Sequence, residues 1–196
     1  MLGGILLTGG ASTRMGVDKA RLTLAGETFA ARAEQLLVPL VALAVEVGPG
    51  VSTMFAVREQ PAGSGPLAAV VAGHAALREM GLEALAPCLV IACDLPLLTE
   101  SVLARLASWP TTASVVPVIG GFAQPLCARW SAGDLASARD ALAGGERSLQ
   151  AHPDRSSALL VSEGEWGVEV EAFSDVDSPE DLRRLGLGRA VLGERS

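Results

Sequence analysis

The chain has 196 residues, enough for one domain with a full core and too few for two ordinary ones. Its formal net charge of −7 leaves no basic stripe to follow a nucleic-acid backbone, so any anionic ligand has to be gripped locally. Mean hydropathy is +0.39, yet no apolar stretch reaches the roughly 18 to 20 residues of a membrane span, which predicts a soluble protein without membrane association. Residues 1–8 carry no side-chain charge and run directly into a glycine loop, so they read as a structural strand rather than a leader, and a cytoplasmic location is expected. Cys88, Cys93 and Cys127 are odd in number and lack paired metal spacing, which predicts reduced core thiols.

In chain order, short apolar runs alternate with helical patterns, the signature of βαβ units and a mainly parallel sheet. Strands are expected over residues 3–7, 41–47, 54–57, 88–93 and 114–118. Residues 28–37, 66–80 and 100–107 carry apolar side chains at three- and four-residue spacing, as crossover helices would. Ile119-Gly120-Gly121-Phe122 reads as a tight turn and 124–130 as a returning strand, giving a hairpin excursion with an antiparallel element at the sheet edge. A helix is expected over 132–142, a short one over 145–151, pairing between 158–161 and 168–173, and a last helix over 181–185 capped by Ser178-Pro179. Residues 1–187 read as one domain and 188–196 as a tail that frays.

Two stretches carry chemistry. Of fifteen cationic side chains only one is lysine, Lys19, and it closes the run Gly9-Gly10-Ala11-Ser12-Thr13-Arg14-Met15-Gly16-Val17-Asp18-Lys19 behind the first strand. Arginine serves for generic charge elsewhere, so a retained lysine suggests a compact ammonium facing phosphate oxygens. Glycines at a strand's carboxyl end let backbone N–H groups approach an anion. The second stretch, Cys88 to Pro96, ends a hydrophobic strand in Asp94. That carboxylate is either a turn or helix cap or, with a partner, a ligand for Mg²⁺. Asp175 and Asp177 alternate on an extended segment and share a face; Asp177 also reads as a helix N-cap. The Walker spacing and G-x-G-x-x-G are both absent from the first loop, which argues against P-loop ATPases and nicotinamide dehydrogenases.

The pattern from Leu7 and Thr8 through Gly9, Gly10, Ser12, Thr13, Arg14, Met15, Gly16 and Asp18 to Lys19, followed by Gly65-Pro66-Leu67-Ala68, Cys93-Asp94-Leu95-Pro96 and Asp175-Val176-Asp177-Ser178-Pro179-Glu180-Asp181-Leu182, resembles the molybdenum cofactor guanylyltransferase family of nucleotidyltransferases. The resemblance spans about residues 2 to 187. It implies a three-layer α/β/α, Rossmann-like nucleotidyltransferase fold and a transfer of GMP from GTP to the terminal phosphate of molybdopterin or the molybdenum cofactor, with Mg²⁺ present and pyrophosphate released. Such chemistry needs mainly positioning and charge neutralisation. The resemblance assigns catalysis to Arg14, Lys19 and Asp94, the metal to Asp94 and Asp177, and nucleotide contacts to Leu7, Thr8, Gly9, Gly10, Ser12, Thr13, Lys19, Gln60, Gly65 and Asp94. It also implies transient contact with molybdoenzymes or other cofactor-synthesis proteins.

The family usually has alanine at Thr8, an acidic residue at Gln60 to recognise guanine, His-Pro at Gln124-Pro125, and Asn-Val-Asn at Asp175-Val176-Asp177. Glu59 offers a carboxylate one residue from Gln60. Arg147, in the loop after the fourth helix, is a further candidate for an acceptor phosphate. A cytidylyltransferase or other nucleotide transferase, and a non-catalytic cofactor-delivery protein, remain the rival readings, and the intact Arg14, Lys19 and Asp94 set argues against the latter.

Overall fold

A computed structural model of the chain describes residues 1–9, 18–149, 157–187 and 191–192. β1 (Gly3–Leu7) is an apolar run buried along its whole length. β2 (Leu22–Leu24) and β3 (Glu27–Thr28) form a small hairpin, after which the Thr28 hydroxyl caps α1 (Phe29–Leu37) by accepting the Ala31 N–H. β4 (Leu43–Val47) and β5 (Phe55–Val57) follow. α2 (Pro66–Glu79) starts on a proline whose missing N–H costs nothing at that position, preceded by Gly65 at φ +93°, a conformation that favours glycine. Next come β6 (Cys88–Ala92), α3 (Glu100–Ser108) capped by Thr99, β7 (Val115–Ile119), the Gly120-Gly121 turn, β8 (Phe122–Ala123), β9 (Cys127–Trp130) and α4 (Ala132–Ala143) capped by Ser131. β10 (Leu159–Ser162), a short helix Glu163–Trp166, a 3₁₀ segment Gly167–Phe173, the helix Pro179–Arg184 and β11 (Val191–Leu192) complete the described chain.

The main sheet runs β10-β7-β9-β6-β1-β4-β5, with β8 beside β7. Pairings β1–β4, β1–β6, β4–β5 and β7–β10 are parallel, while β9 opposes both β6 and β7. Side chains alternate between two cores. Ile5, Val45, Val47 and Val90 meet α2 and α4 through Leu67, Val70, Leu77 and Leu135. Leu6, Leu89 and Ile91 meet α1 and α3 through Ala33, Leu37, Val102, Leu103 and Leu106 on the other face. The result is a three-layer α/β/α fold in which each fully buried leucine contributes roughly 1.5–3 kcal/mol of burial. At Gly73 a Cβ would stand 2.7 Å from Ile5 Cγ2, so the missing side chain lets α2 lie close on the sheet.

Four expectations are corrected. The returning strand β9 is interior to the sheet, between β6 and β7, rather than at its edge. All four of its residues are buried, with the Trp130 indole N–H donated to Pro125 O, so both of its faces are core. Residues 145–149 are not helical, because the Glu146 carboxylate accepts the N–H groups of Arg147 and Ser148; residues 150–151 lie outside the described part. β10 pairs in parallel with β7, not with 168–173, and that segment coils so that Ala172 and Phe173 bury beside Trp166. Finally, Val191–Leu192 pair antiparallel with β2, where a fraying tail was expected. No helix among the described residues is long and apolar enough to cross a membrane.

Candidate active site

Because β1, β4, β5 and β6 point the same way, their carboxyl ends open together into a cavity of about 570 Å³. This is the crevice position expected where strand order reverses in an open α/β sheet, here around β1. Leu7, Thr8 and Gly9 supply one wall from the end of β1, and Val47, Gly48 and Pro49 continue it from the end of β4. The two segments are in intimate contact: the N–H groups of Thr8 and Gly9 both donate to Val47 O, and a Cβ on Gly48 would sit 2.1 Å from Thr8 Oγ1. The Thr8 hydroxyl is turned away from the cavity into Glu46, 2.5 Å distant. Toward a ligand Thr8 therefore presents backbone, as an alanine would.

Across the cavity, Lys19 enters from a 3₁₀ turn whose N-cap, Asp18, accepts the Ala20 N–H. Its ammonium lies 3.3 Å from Asp94 Oδ2 and hydrogen-bonds Asp177 Oδ1, with only 15% of the side chain exposed. Burial pushes the Lys19 ammonium down, but Asp177 and Asp94 outweigh it and hold the group above its usual range. Asp94 is driven up by desolvation, with Lys19 opposing. Asp177 reaches this point because the Val176 N–H donates to Asp94 O and the Val176 side chain is fully buried, which aims Asp175 and Asp177 to the opposite face. Neither aspartate is a helix cap: Thr99 caps α3, and Ser178 caps the last helix in a capping box with Asp181.

Two carboxylates converging on one cation are a donor set suited to a hard divalent ion such as Mg²⁺, which takes one or two protein carboxylates and completes its shell with substrate oxygens and water. No group of three or more potential metal-binding side chains occurs among the described residues. The three thiols lie buried; Cys88 and Cys127 are each pushed up to about 12 by burial, and no thiolate is available at neutral pH.

A second cavity of about 440 Å³ adjoins the first, and Asp94, Pro66, Ala92 and Leu126 stand on the wall between them. Gln124, Asp175 and Arg147 line this second chamber. The exposed Arg147 guanidinium is held at its mouth by Leu142 O and Glu146 O.

Of the site residues expected from sequence, Leu7, Thr8, Gly9, Lys19, Gly65 and Asp94 line the first cavity, and Asp177 joins them through Lys19. Gly10, Ser12, Thr13 and Arg14 lie outside the described residues. Gln60 is exposed and off the cavity wall; its neighbours Arg58 and Glu59 stand on it. Sequence reading passed over Arg58 and Glu46. A lone acid inside the apolar run Leu43–Val47 was the available signal for Glu46.

A mainly parallel sheet whose strand ends open on a lysine–aspartate pair suits an enzyme of the α/β nucleotidyltransferase class, and the family match establishes that class. The chain belongs to the MobA-like NTP transferase domain family, whose model matches residues 4–156. It is 37% identical to a probable molybdenum cofactor guanylyltransferase of Chloroflexus aggregans, over 98% of this chain and 96% of that one. Among solved structures it resembles molybdopterin-guanine dinucleotide biosynthesis protein A from Archaeoglobus fulgidus, with TM-score 0.75, 21% identity, and 93% and 96% of the two chains covered. A Mycobacterium tuberculosis protein solved in complex with manganese shares the fold at TM-score 0.62 and 14% identity, with 94% and 97% covered.

Proposed function

We propose that the protein transfers GMP from GTP to the terminal phosphate of molybdopterin or the molybdenum cofactor. A terminal phosphate oxygen of the acceptor forms a bond to the α-phosphorus of GTP, the bond from that phosphorus to the bridging oxygen breaks, and the electron pair leaves with pyrophosphate. The acceptor is a phosphate monoester already ionised near pH 7, so no general base is needed. The observation that carries this reading is the place of Asp94, on the wall shared by two chambers and paired with the only lysine.

In this reading the first chamber takes the nucleotide and the second the pterin phosphate. Lys19, with Arg14, holds the triphosphate and stabilises charge on the leaving pyrophosphate. Backbone N–H groups from Gly9 through Gly10 and Ser12 to Thr13, and those opening α2 behind Gly65, face phosphate oxygens. Asp94 and Asp177 hold Mg²⁺, for which their convergence on an ammonium is the supporting feature. Neutralisation of phosphate charge is what Mg²⁺ supplies when bound. Glu59, on the cavity wall, replaces Gln60 as the group that meets guanine, since a carboxylate accepts from both the ring N–H and the exocyclic amine. Arg147 faces the acceptor phosphate. The same reading has the enzyme work in the cytoplasm and make transient contact with molybdoenzymes or other cofactor-synthesis proteins when its product is passed on.

The test is calorimetric binding of GTP, CTP, ATP and UTP with Mg²⁺, followed by incorporation of labelled GMP into molybdopterin. Preference for GTP and appearance of the dinucleotide are expected. Preference for CTP moves the protein to the cytidylyltransferases, and binding without turnover moves it to the delivery proteins.

A further inference from the structure

Glu46 is a charged residue with no exposed surface, and none of the roles above uses it. It sits in β4 between Val45 and Val47, on the face it shares with Leu6 of β1 and close to the carboxyl ends of both strands. Its two oxygens accept five hydrogen bonds. Oε1 takes the Thr8 hydroxyl at 2.5 Å and the N–H groups of Gly50 and Val51 at 2.8 and 3.0 Å. Oε2 takes the N–H and hydroxyl of Ser52 at 2.7 and 2.6 Å. A buried carboxylate is tolerated only when its lone pairs are filled in this way.

The direction of these bonds separates a site role from a general fold role. All five partners belong to the segments leaving the carboxyl ends of β1 and β4, at the level of the cavity. None comes from a helix or from the opposite layer. An apolar residue at position 46 would continue the pattern of β4 and fill the sheet equally well. What it would not do is tie Thr8 to the turn 48–52 through a single anion. That tie sets the spacing of Thr8 and Gly9 against Gly48 and Pro49, which together form one wall of the first chamber.

We propose that Glu46 is a positioning residue for the nucleotide: its carboxylate locks the ends of β1 and β4 into one rigid wall against which the nucleoside end of the substrate rests. This inference stands on the assignment of the first chamber to the nucleotide. Glu46 touches no substrate and takes no part in the transfer itself.

The experiment uses the full chain and whichever of GTP, CTP, ATP and UTP the wild type binds most tightly with Mg²⁺. Glu46→Gln keeps the shape of the side chain but replaces one oxygen with an NH₂ group, which then faces either the N–H donors of Gly50 and Val51 or that of Ser52. The dissociation constant and KM for that nucleotide are expected to rise roughly tenfold with kcat at saturation held within about threefold, the pattern of lost ground-state positioning. A folded Glu46→Gln protein that binds nucleotide within about twofold of wild type, or that loses kcat with KM unchanged, overturns the proposal and leaves Glu46 a residue of the fold alone. If that variant fails to fold, Ser52→Ala decides: it removes one of five donors from an outer turn. A rise of about threefold in the dissociation constant is then expected, and an unchanged constant refutes the role. Failure of the wild type to bind any of the four nucleotides would instead sink the assignment of the chamber.

Discussion

Replacing Lys19 by methionine tests whether Asp94 and Asp177 form a seat for a cation. A loop lysine facing solvent contributes little to stability. Lys19 is instead largely buried and paired to both carboxylates. At the 3.3 Å separation from Asp94, an effective dielectric of about 20 gives a gross attraction of about 5 kcal/mol. The Asp177 side chain is 48% exposed, so solvent screening reduces its share, and the cost of burying the ammonium offsets more. A net loss of about 1–2 kcal/mol remains, or about 2–8 °C in melting temperature for a chain of this size. Lys19→Met should therefore melt lower than wild type in metal-free buffer. Addition of Mn²⁺ should restore the variant more than it stabilises the wild type, because no ammonium has to leave the carboxylates first. Free Mn²⁺ counted by electron paramagnetic resonance, without nucleotide, should show roughly tenfold tighter binding by the variant, the equivalent of about 1.4 kcal/mol. Turnover should nevertheless fall by about 10² or more, because the charge on the leaving pyrophosphate loses its partner. Equal melting temperatures and equal Mn²⁺ affinities in the two proteins would refute the reasoning, since the carboxylates would then not be a cation seat that lysine holds.

Glu59→Gln should lower affinity for GTP by about tenfold with little effect on CTP, whereas Gln60→Asp should change neither, as calorimetry against both nucleotides would show. The Glu46 carboxyl is pushed up by burial, but hydrogen bonds from Ser52, Thr8 and Val51 outweigh this and hold it below its ordinary value of 4.5. A depressed folded value stabilises the protein above pH 4.5 and the gain is lost as pH falls further. The difference in melting temperature between wild type and Glu46→Gln should thus be constant from pH 7 to about 5 and shrink below 4.5; a flat difference would contradict the sign. Arg129 donates to the carbonyl oxygens of Ala107, Trp109, Thr111 and Ala113 and is 5% exposed. Arg129→Met strands these acceptors at a cost of about 3–5 kcal/mol, which urea unfolding should register while nucleotide binding at low temperature stays unchanged.

What the sequence disclosed and what it withheld divide along a physical line. β1 and β6 are continuous apolar runs whose length and boundaries need only local composition, and they fall within a residue of expectation. Asp94 was visible for the same reason, as a charge placed where such a run stops, and Lys19 as the one lysine of the chain, closing the glycine-rich run behind β1. The place of β9 was not legible, because the order of strands in a sheet is decided by which buried faces fit together. The run Cys127–Trp130 gives its own burial but not its neighbours. The bond from Lys19 to Asp177 joins residues 158 positions apart, and the late segment is brought there by the Val176 backbone bond to Asp94 and by burial of Val176 and Leu182 against Leu22 and Phe29. Asp177 had two readings, cap or ligand, and what separates them is the neighbouring Ser178, which takes the capping role in three dimensions and leaves the aspartate free for a cation.

Glu46 shows the converse limit. Read locally, an acid in a valine-rich strand looks like a polar residue on an outward face, since alternation alone puts it opposite Val45 and Val47. The opposite face of this sheet, however, is covered by α1 and α3, so the side chain cannot reach water and must find donors within the protein. The turn leaving the same strand supplies three N–H groups and the Ser52 hydroxyl, and the threonine at the end of the neighbouring β1 supplies the fifth bond. Thr8 and Glu46, each a departure from the surrounding pattern when taken separately, become one structural decision when taken together. A residue that departs from its local pattern in an α/β enzyme is therefore better judged against the residue its register places beside it than against its own neighbours in sequence.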